Sequence, residues 1–176
     1  MSINRFKVVV PSFNSAKWLE KCLTSLEEQD FSDFDACIVD DASTDEGQKD
    51  IILKFCQRNN WKHVFHEKNQ GVLPSIIDGI TCLKPDDNDV ILLLDGDDWL
   101  YDEEVIEKIH YIYSDEDKDI LITYGREIHY PSGKILPERE LPSYVIEDSM
   151  FREYPWAISA PRTFKYLLWK NIKDED

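Results

Sequence analysis

The 176 residues suffice for one domain with a sizeable core, since 42 % are hydrophobic and 12 % aromatic. The 36 acidic and 20 basic residues give a net charge of −16, which argues against nucleic acid or an anionic membrane as main partner. No membrane span is predicted, because no stretch reaches about 18 apolar residues, and the N-terminal apolar run is too short for a signal peptide, so we expect a cytoplasmic protein.

The first hundred residues alternate between apolar strands and amphipathic helices. Strands are predicted at residues 7–11, 35–41, 62–67 and 89–95, which are short runs rich in β-branched or aliphatic residues. Helices are predicted at 14–29, capped by Asn14 or Ser15, at 46–59, and at 71–83 with Pro74 in the first turn. Because the strands are apolar on both faces, this order predicts an α/β fold with a mainly parallel sheet between helices.

Residues 101–176 follow a different pattern. A helix is predicted at 102–114, strands on either side of the Pro-Ser-Gly turn at 131–133, and an irregular proline-rich segment at 137–160. A final helix is predicted at 161–172, with Pro161 near its first position. We expect a single domain over residues 1–176, and the acidic KDED end favours a chain truncated from a longer one.

The cysteines indicate buried thiols rather than a metal site. They are far apart, lie in apolar stretches and show no Cys-x-x-Cys or Cys/His spacing, as expected in a reducing compartment. They are Cys22, Cys37, Cys56 and Cys82.

Polar segments follow all four predicted strands of the first half. They are PSFN after the first strand, DDASTD after the second, EKNQG after the third and DGDD after the fourth. Ligands of open parallel sheets bind outside the carboxyl ends of the strands. We therefore expect the four loops to converge on one site.

The DGDD segment follows the most apolar strand, and its closely spaced carboxylates favour a positive group between them. Asp95 and Asp97 can share one hard divalent cation, Mn²⁺ or Mg²⁺, which would bridge to a diphosphate. Gly96 would let the backbone approach the ligand closely. The alternative is a solvated acidic turn that caps the next helix. An EF-hand loop is excluded because Leu100 stands where glycine is required, and neither a P-loop nor a dinucleotide-binding motif occurs.

The second acidic cluster is the Asp40-Asp41 pair. A carboxylate at this strand end can accept the N–H of a uracil, thymine or guanine base, and Phe13 in the neighbouring loop can stack on that base. The alternative is capping of the following helix by the segment 43–45.

Together these segments resemble one family. From residue 6 to about 105, the chain is similar to the family 2 glycosyltransferases of the GT-A fold. The resemblance rests on the order of three segments, VVVPSFNSAKWLEKCLTSLEEQDFSDFDACIVDDASTDEG, KNQGV and VILLLDGDDWL. The resemblance implies a nucleotide-sugar-binding half at residues 1–100 and a smaller mixed acceptor half at residues 101–176.

The resemblance also implies roles for the loops that bind the donor. Pro11, Ser12 and Phe13 match the loop that holds the nucleobase and ribose. Asp41 matches the acid that reads the base.

The acidic segment matches the metal-binding DxD motif of the family. Asp97 matches the direct metal ligand, Asp95 lies nearer the ribose, and Asp98 matches an additional acid common in the family. The metal would neutralise the departing nucleoside diphosphate.

Two departures from the family pattern stand out. Ile76 replaces an arginine that helps family members to bind the diphosphate, which leaves that task to the metal or to Lys68, Arg126 or Arg162. The catalytic base of an inverting transfer is an Asp or Glu within reach of the acceptor hydroxyl. Asp148, in the Glu147-Asp148 pair, is one candidate, and the others lie within residues 174–176 or beyond.

The remaining aromatic and imidazole side chains give weaker indications. His63 and His66 are predicted at the surface, and His129 near the acceptor cleft. Trp99, Trp156 and Trp169 are candidates for sugar stacking, although Trp169 is better explained as core packing.

The resemblance therefore implies a metal-dependent inverting glycosyltransferase. Its donor would be a nucleoside diphosphate sugar, with UDP favoured, and its acceptor hydroxyl would belong to a glycan, protein or lipid. The alternative is a nucleotide-sugar-binding module without transfer activity. A nucleotidyltransferase is disfavoured because PSFNSAKW after the first strand contains neither a glycine-rich loop nor an arginine.

Overall fold

The computed structural model describes residues 5–115, 120–126, 128–136, 142–150, 153–154 and 159–172. The strands are β1 (Phe6–Ser12), β2 (Phe34–Asp40), β3 (Lys62–Phe65), β4 (Val90–Leu93), β5 (Ile122–Gly125), β6 (Ile128–His129), β7 (Lys134–Ile135) and β8 (Ser159–Lys165). The helices are α1 (Ala16–Glu27), α2 (Gln48–Asn59), α3 (Val72–Leu83), α4 (Val105–Tyr113), α5 (Ser143–Glu147) and α6 (Tyr166–Lys170).

The main sheet has the strand order β3-β2-β1-β4-β8-β5 in the described part of the chain. β1 pairs in parallel with β2 and β4, and β2 with β3, whereas β8 runs antiparallel to both β4 and β5. β6 and β7 form a separate hairpin around the predicted turn. The mainly parallel sheet predicted for the first half is confirmed, and so are its helices, with Pro74 in the first turn of α3.

Apolar clusters cover both faces of this sheet. Because side chains alternate along a strand, Val8 and Val10 point to one face of β1 and Val9 to the other. Val8 and Val10 belong to a cluster with residues of α1, α2 and α4. Val9 packs with Ile76 and Ile80 of α3. The sheet is therefore buried on both sides, as its uninterrupted apolar strands predicted.

The predicted helix at 161–172 is wrong over its first half. Residues up to Lys165 continue β8, and only Tyr166–Lys170 is helical. β8 pairs with β4 from Val90↔Lys165 to Leu93↔Arg162 and so covers an edge that β4 would otherwise expose. Pairing with a distant strand outweighs the weak helical pattern of this short segment.

The cysteine prediction is largely confirmed, since all four thiols are free. Cys22, Cys37 and Cys56 are buried and Cys82 is half-buried. Burial raises the pKa of Cys56 to about 11. No helix in the described ranges has both the length and the apolar character needed to cross a bilayer.

Replacing Gly79 with alanine is expected to destabilise the domain by about 1–3 kcal/mol. Gly79 is buried on α3, and an added Cβ would overlap Val9 Cγ1 and press on Val39 Cγ2. Both contacts lie in the sheet core, where neighbours have little room to move. Urea unfolding of the two proteins measures the difference, and an unchanged midpoint would show that α3 can shift away from the sheet.

Candidate functional site

The loops after β1, β2 and β4 are joined at the carboxyl edge of the sheet, as predicted. The Asn14 backbone N–H donates to Ser43 Oγ at 2.9 Å, and the Thr44 N–H donates to Asn14 Oδ1 at 2.8 Å. The Gly96 N–H donates to the Pro11 carbonyl at 3.0 Å. These bonds position the PSFN loop between the two acidic loops.

Gln48 lies at the centre of this junction and was not identified from the sequence. Its Oε1 accepts the Ser15 N–H at 2.8 Å. Its Nε2 lies 3.0 Å from Ser12 Oγ, 2.6 Å from Asp40 Oδ1 and 2.5 Å from Ser43 Oγ. A fully buried amide needs such partners. In the sequence, the only sign of this role was a polar residue at the start of an amphipathic helix.

The predicted N-cap of α1 is confirmed in position but not in its hydrogen bond, and the predicted cap of α2 is wrong. Ser15 occupies the N-cap position of α1, but its hydroxyl pairs with Ser12 Oγ at 2.6 Å and makes no cap hydrogen bond. Gly47 is the N-cap residue of α2, with a φ of 81°. Asp45 Oδ2 instead accepts the Ala16 N–H at 3.3 Å. The polar residues at 43–45 therefore join two loops rather than cap α2.

The acidic loop after β4 presents exposed carboxylates and one ion pair to β8. Asp97 and Asp98 are exposed. Asp95 Oδ2 accepts a hydrogen bond from Arg162 Nη2 at 2.6 Å, with side-chain exposures of 34 % and 19 % for Asp95 and Arg162. Strand β8 thus brings a guanidinium to an otherwise acidic edge. Of the three basic candidates for the diphosphate, Arg162 is paired with Asp95 of this loop, whereas Lys68 is exposed beyond β3.

Gly96 permits a close approach, but to the protein itself. An added Cβ would lie 2.9 Å from both Cβ and Oγ of Ser12 and 3.1 Å from Ser15 Oγ. The loops after β1 and β4 pack against each other at Gly96, and the close approach of its backbone to a ligand stays a prediction.

The carboxylate oxygens of Asp95 and Asp97 suit a hard cation that completes its coordination shell with water or phosphate. In the described residues, no group of three or more His, Cys, Asp or Glu side chains is arranged to hold a metal by itself. Mg²⁺ and Mn²⁺ do not require such a cage, since they favour carboxylate, phosphate and water oxygens. Asp95 is engaged by Arg162, which leaves the exposed Asp97 as the more accessible ligand.

Asp41 is buried below the second loop and accepts three hydrogen bonds. Oδ1 accepts from Gln70 N–H at 2.8 Å and lies 2.7 Å from His66 Nδ1, and Oδ2 accepts from Gly71 N–H at 2.7 Å. Burial alone would raise the pKa of Asp41, but the bonds from His66 and the two backbone N–H groups bring it below its ordinary value. The carboxylate is therefore ionised and fixed in orientation.

The prediction that His66 lies at the surface is wrong, although His63 is exposed as predicted. His66 is 8 % exposed and lies between Asp41 and Asp78. Ile76, in the place of the family's arginine, is buried in the core with Val9. Helix α3 therefore supplies no cation at this position.

A cavity of about 690 Å³ opens beside the acidic loop. Its lining includes Asp97, Asp98 and Trp99 of the acidic loop and its end, and Arg126, His129 and Tyr130 from later in the chain. Trp99 stacks on Trp18 at a centroid distance of 6.1 Å and meets the edge of Tyr130 at 5.2 Å. Lys21 Nζ lies 3.6 Å from the Trp99 ring centroid.

The other predicted residues are distributed around this region. Phe13 is 50 % exposed in the first loop, so its ring is accessible to a base. Asp148 is exposed at the end of α5 and is not among the described residues that line the cavity. Trp169 stacks on Phe164 at 5.9 Å, which confirms its packing role. Trp156 and residues 174–176 lie outside the described residues.

A parallel sheet whose strand-end loops form an acidic site beside an open cavity defines an α/β nucleotide-binding type of domain. The profile of the family described as glycosyl transferase family 2 matches residues 7–168, and the chain belongs to this family. The predicted family and enzyme class are thereby confirmed.

Relatives with known names support the assignment. The chain is 32 % identical over 151 residues to poly(ribitol-phosphate) beta-N-acetylglucosaminyltransferase TarS of Staphylococcus aureus. The matched region covers 85 % of this chain and 23 % of TarS. It is 30 % identical over 116 residues to glycosyltransferase GlyG of Streptococcus pneumoniae, covering 65 % of this chain and 37 % of GlyG. The chain thus spans well under half of the length of these relatives.

Solved structures support the GT-A fold. The crystal structure of S. aureus TarS 1–349 in complex with UDP-GlcNAc matches with a TM-score of 0.68 and 22 % identity, over 95 % of this chain and 47 % of that one. The mannosyltransferase PcManGT from Pyrobaculum calidifontis, in complex with GDP-Man and Mn²⁺, matches with a TM-score of 0.60 and 17 % identity. This match covers 70 % of the present chain and 36 % of PcManGT.

Proposed function

We propose that this domain is a metal-dependent glycosyltransferase that moves a sugar from a UDP-sugar to an acceptor hydroxyl with inversion. The observation that carries the proposal is the junction of three loops at one sheet edge. The proposal is supported by the hydrogen bonds that link the loops of the buried Asp41 and of Asp95 and Asp97 to β1, and by the ion pair between Asp95 and Arg162. The UDP-GlcNAc and UDP complexes of TarS favour uridine as the nucleoside.

The proposed base pocket is formed by the loops after β1 and β2. Asp41 would accept an N–H of the base, since a carboxylate has about four acceptor positions and three are used. Phe13, which is half exposed, would stack on the ring. Pro11 and Ser12 would hold the ribose side of this pocket, where Gly96 packs against them.

The diphosphate would lie between Asp97 and Arg162. Mn²⁺ or Mg²⁺ bound by Asp97, with Asp95 beside it, would neutralise the leaving diphosphate as a Lewis acid. Arg162 would donate hydrogen bonds from its guanidinium to phosphate oxygens. This arrangement replaces the cation that Ile76 cannot provide.

The acceptor would enter the cavity next to Asp97 and Asp98. Its rim combines aromatic faces with polar groups, which suits a hydroxylated acceptor such as a glycan, a protein side chain or a lipid headgroup. Asp98 would contact the donor sugar or acceptor from the cavity wall. The base would be Asp148, which does not line the cavity, or an acid within residues 174–176 or beyond. We further propose one domain over residues 1–176, with its donor half at 1–100, and a cytoplasmic location on the basis of the free thiols.

Calorimetric titration with UDP, GDP and dTDP in the presence of Mn²⁺ tests the proposed donor. We expect UDP to bind at least about tenfold more tightly than GDP, because a pocket shaped for a pyrimidine and one carboxylate discriminates against a purine. Preference for GDP would contradict the uridine assignment.

Turnover of a UDP-sugar distinguishes the proposed enzyme from the alternative, a nucleotide-sugar-binding module. We expect release of UDP from a UDP-sugar, measured as hydrolysis without added acceptor. Tight UDP binding without any release would favour the binding module.

A further inference from the structure

His66 sits between two carboxylates directly beneath the proposed base pocket. Its Nδ1 lies 2.7 Å from Asp41 Oδ1, and its Nε2 lies 2.9 Å from Asp78 Oδ2. The side chains of His66 and Asp41 are each 4 % exposed, whereas that of Asp78, on α3, is 46 % exposed. The ring therefore connects the loop after β2 to the helix that begins at Val72.

The number of protons in this triad follows from its geometry. An ionised carboxylate only accepts hydrogen bonds, and a neutral imidazole has one N–H to donate. Two ring nitrogens that both face carboxylate oxygens therefore require an imidazolium. Asp41 is kept ionised by the backbone N–H groups of Gln70 and Gly71, so the extra proton belongs on His66.

The bridge leaves Asp41 with a defined acceptor capacity. Oδ1 is occupied by His66 and by Gln70 N–H, and Oδ2 by Gly71 N–H. With about four acceptor positions per carboxylate, one position remains on Oδ2. Because three donors fix the carboxylate plane, the remaining position has a fixed direction, as recognition of one N–H of a planar base requires.

We infer that His66 is a cationic positioning residue of the base pocket, which bridges Asp41 to Asp78 and holds the Asp41 carboxylate in place to accept an N–H of uracil. The inference rests on the proposed function. His66 touches no substrate itself and acts through Asp41.

Affinity for UDP should consequently depend on pH. Among the described residues, the charged groups that pair with the ring are Asp41 and Asp78, and the adjacent Glu67 and Lys68 are exposed. Burial lowers the pKa of His66, but its hydrogen bonds to Asp41 and Asp78 outweigh burial and raise the pKa above 6.5. The bridge is therefore complete below pH 6.5 and is lost as the pH rises through the raised pKa. UDP affinity should fall over the same interval.

The test uses UDP and CDP, since cytosine lacks the N–H that uracil offers at the same ring position. Both are titrated calorimetrically with Mn²⁺ into the wild type, His66→Gln, Asp78→Asn and the control His63→Gln, at several pH values from 6 upward. We expect His66→Gln to lose about tenfold in UDP affinity with little change for CDP, and to lose the pH dependence. Asp78→Asn should show the same trend with a smaller loss, because Asp78 is partly exposed, and His63→Gln should match the wild type.

The outcomes separate the inference from the proposed function. Unchanged UDP/CDP discrimination and an unchanged pH profile in His66→Gln would overturn the role of His66 while leaving the donor site intact. If the wild type bound neither nucleotide, the proposed function would fail and the inference with it. If His66→Gln melts at a lower temperature, Asp78→Asn still tests the role of His66. A purely structural loss would weaken the binding of UDP and of CDP equally, whereas the inference predicts a loss for UDP alone.

Discussion

Substituting Asp97 by asparagine is expected to lower UDP-sugar turnover by about a thousandfold or more, because the variant loses the negative charge that holds the cation at the leaving diphosphate. Asp97 is exposed and makes no hydrogen bond or ion pair with the described residues. The variant should therefore fold normally, so that the loss reflects chemistry and not stability. Release of UDP from a UDP-sugar with saturating Mn²⁺ measures the effect.

Glu103→Gln provides the matched control for this variant. Glu103 is also an exposed acid just after the DGDD loop, but it does not line the cavity. Its turnover should equal that of the wild type. If Asp97→Asn kept more than about a tenth of the activity, Asp97 would not be the metal ligand: either other groups hold the metal or the reaction does not require one.

Replacing Arg162 with alanine is expected to weaken UDP binding by about 10- to 100-fold, while binding of uridine changes little. The guanidinium is held at the acidic edge by Asp95 Oδ2 and has the fork geometry that binds phosphate oxygens in pairs. Arg162→Lys retains the charge without the fork, so it should recover only part of the affinity. Calorimetry with UDP and with uridine distinguishes the diphosphate contact from the base contact.

A control for the loss of positive charge is Arg58→Ala, on the exposed side of α2, where the arginine pairs with Glu27. This variant should bind UDP as the wild type does. Equal losses for UDP and uridine in Arg162→Ala would contradict the diphosphate assignment, since they would point to a displaced β8 instead.

The alternating half of the chain was predictable because each element depends on a local pattern. Val8, Val9 and Val10 mark a strand buried on both faces, and the α1 pattern of Leu19 and Leu23 marks a helix on one face of the sheet. Local order along the chain was thus enough to place the four loops at one edge.

Features that depend on distant partners were not predictable in the same way. Strand β8 forms because β4 offers an unpaired edge, which lies some seventy residues earlier in the chain. Gln48 and His66 are polar residues without a distinctive neighbourhood in the sequence, and their importance comes from side chains in other loops. The polar residues at 43–45 were assigned to a cap because capping is a local rule, whereas their partners belong to the loop after β1 and the start of α1.

Calorimetric titration of UDP into the wild type and Asp97→Asn, each with Mn²⁺ and with EDTA, tests the central claim most directly. The account predicts tight binding to the wild type with Mn²⁺ and at least about tenfold weaker binding when either the metal or Asp97 is removed, with no further loss when both are removed. Binding of equal strength in all four titrations, or no binding in any of them, would contradict a metal-assisted donor site at this edge of the sheet.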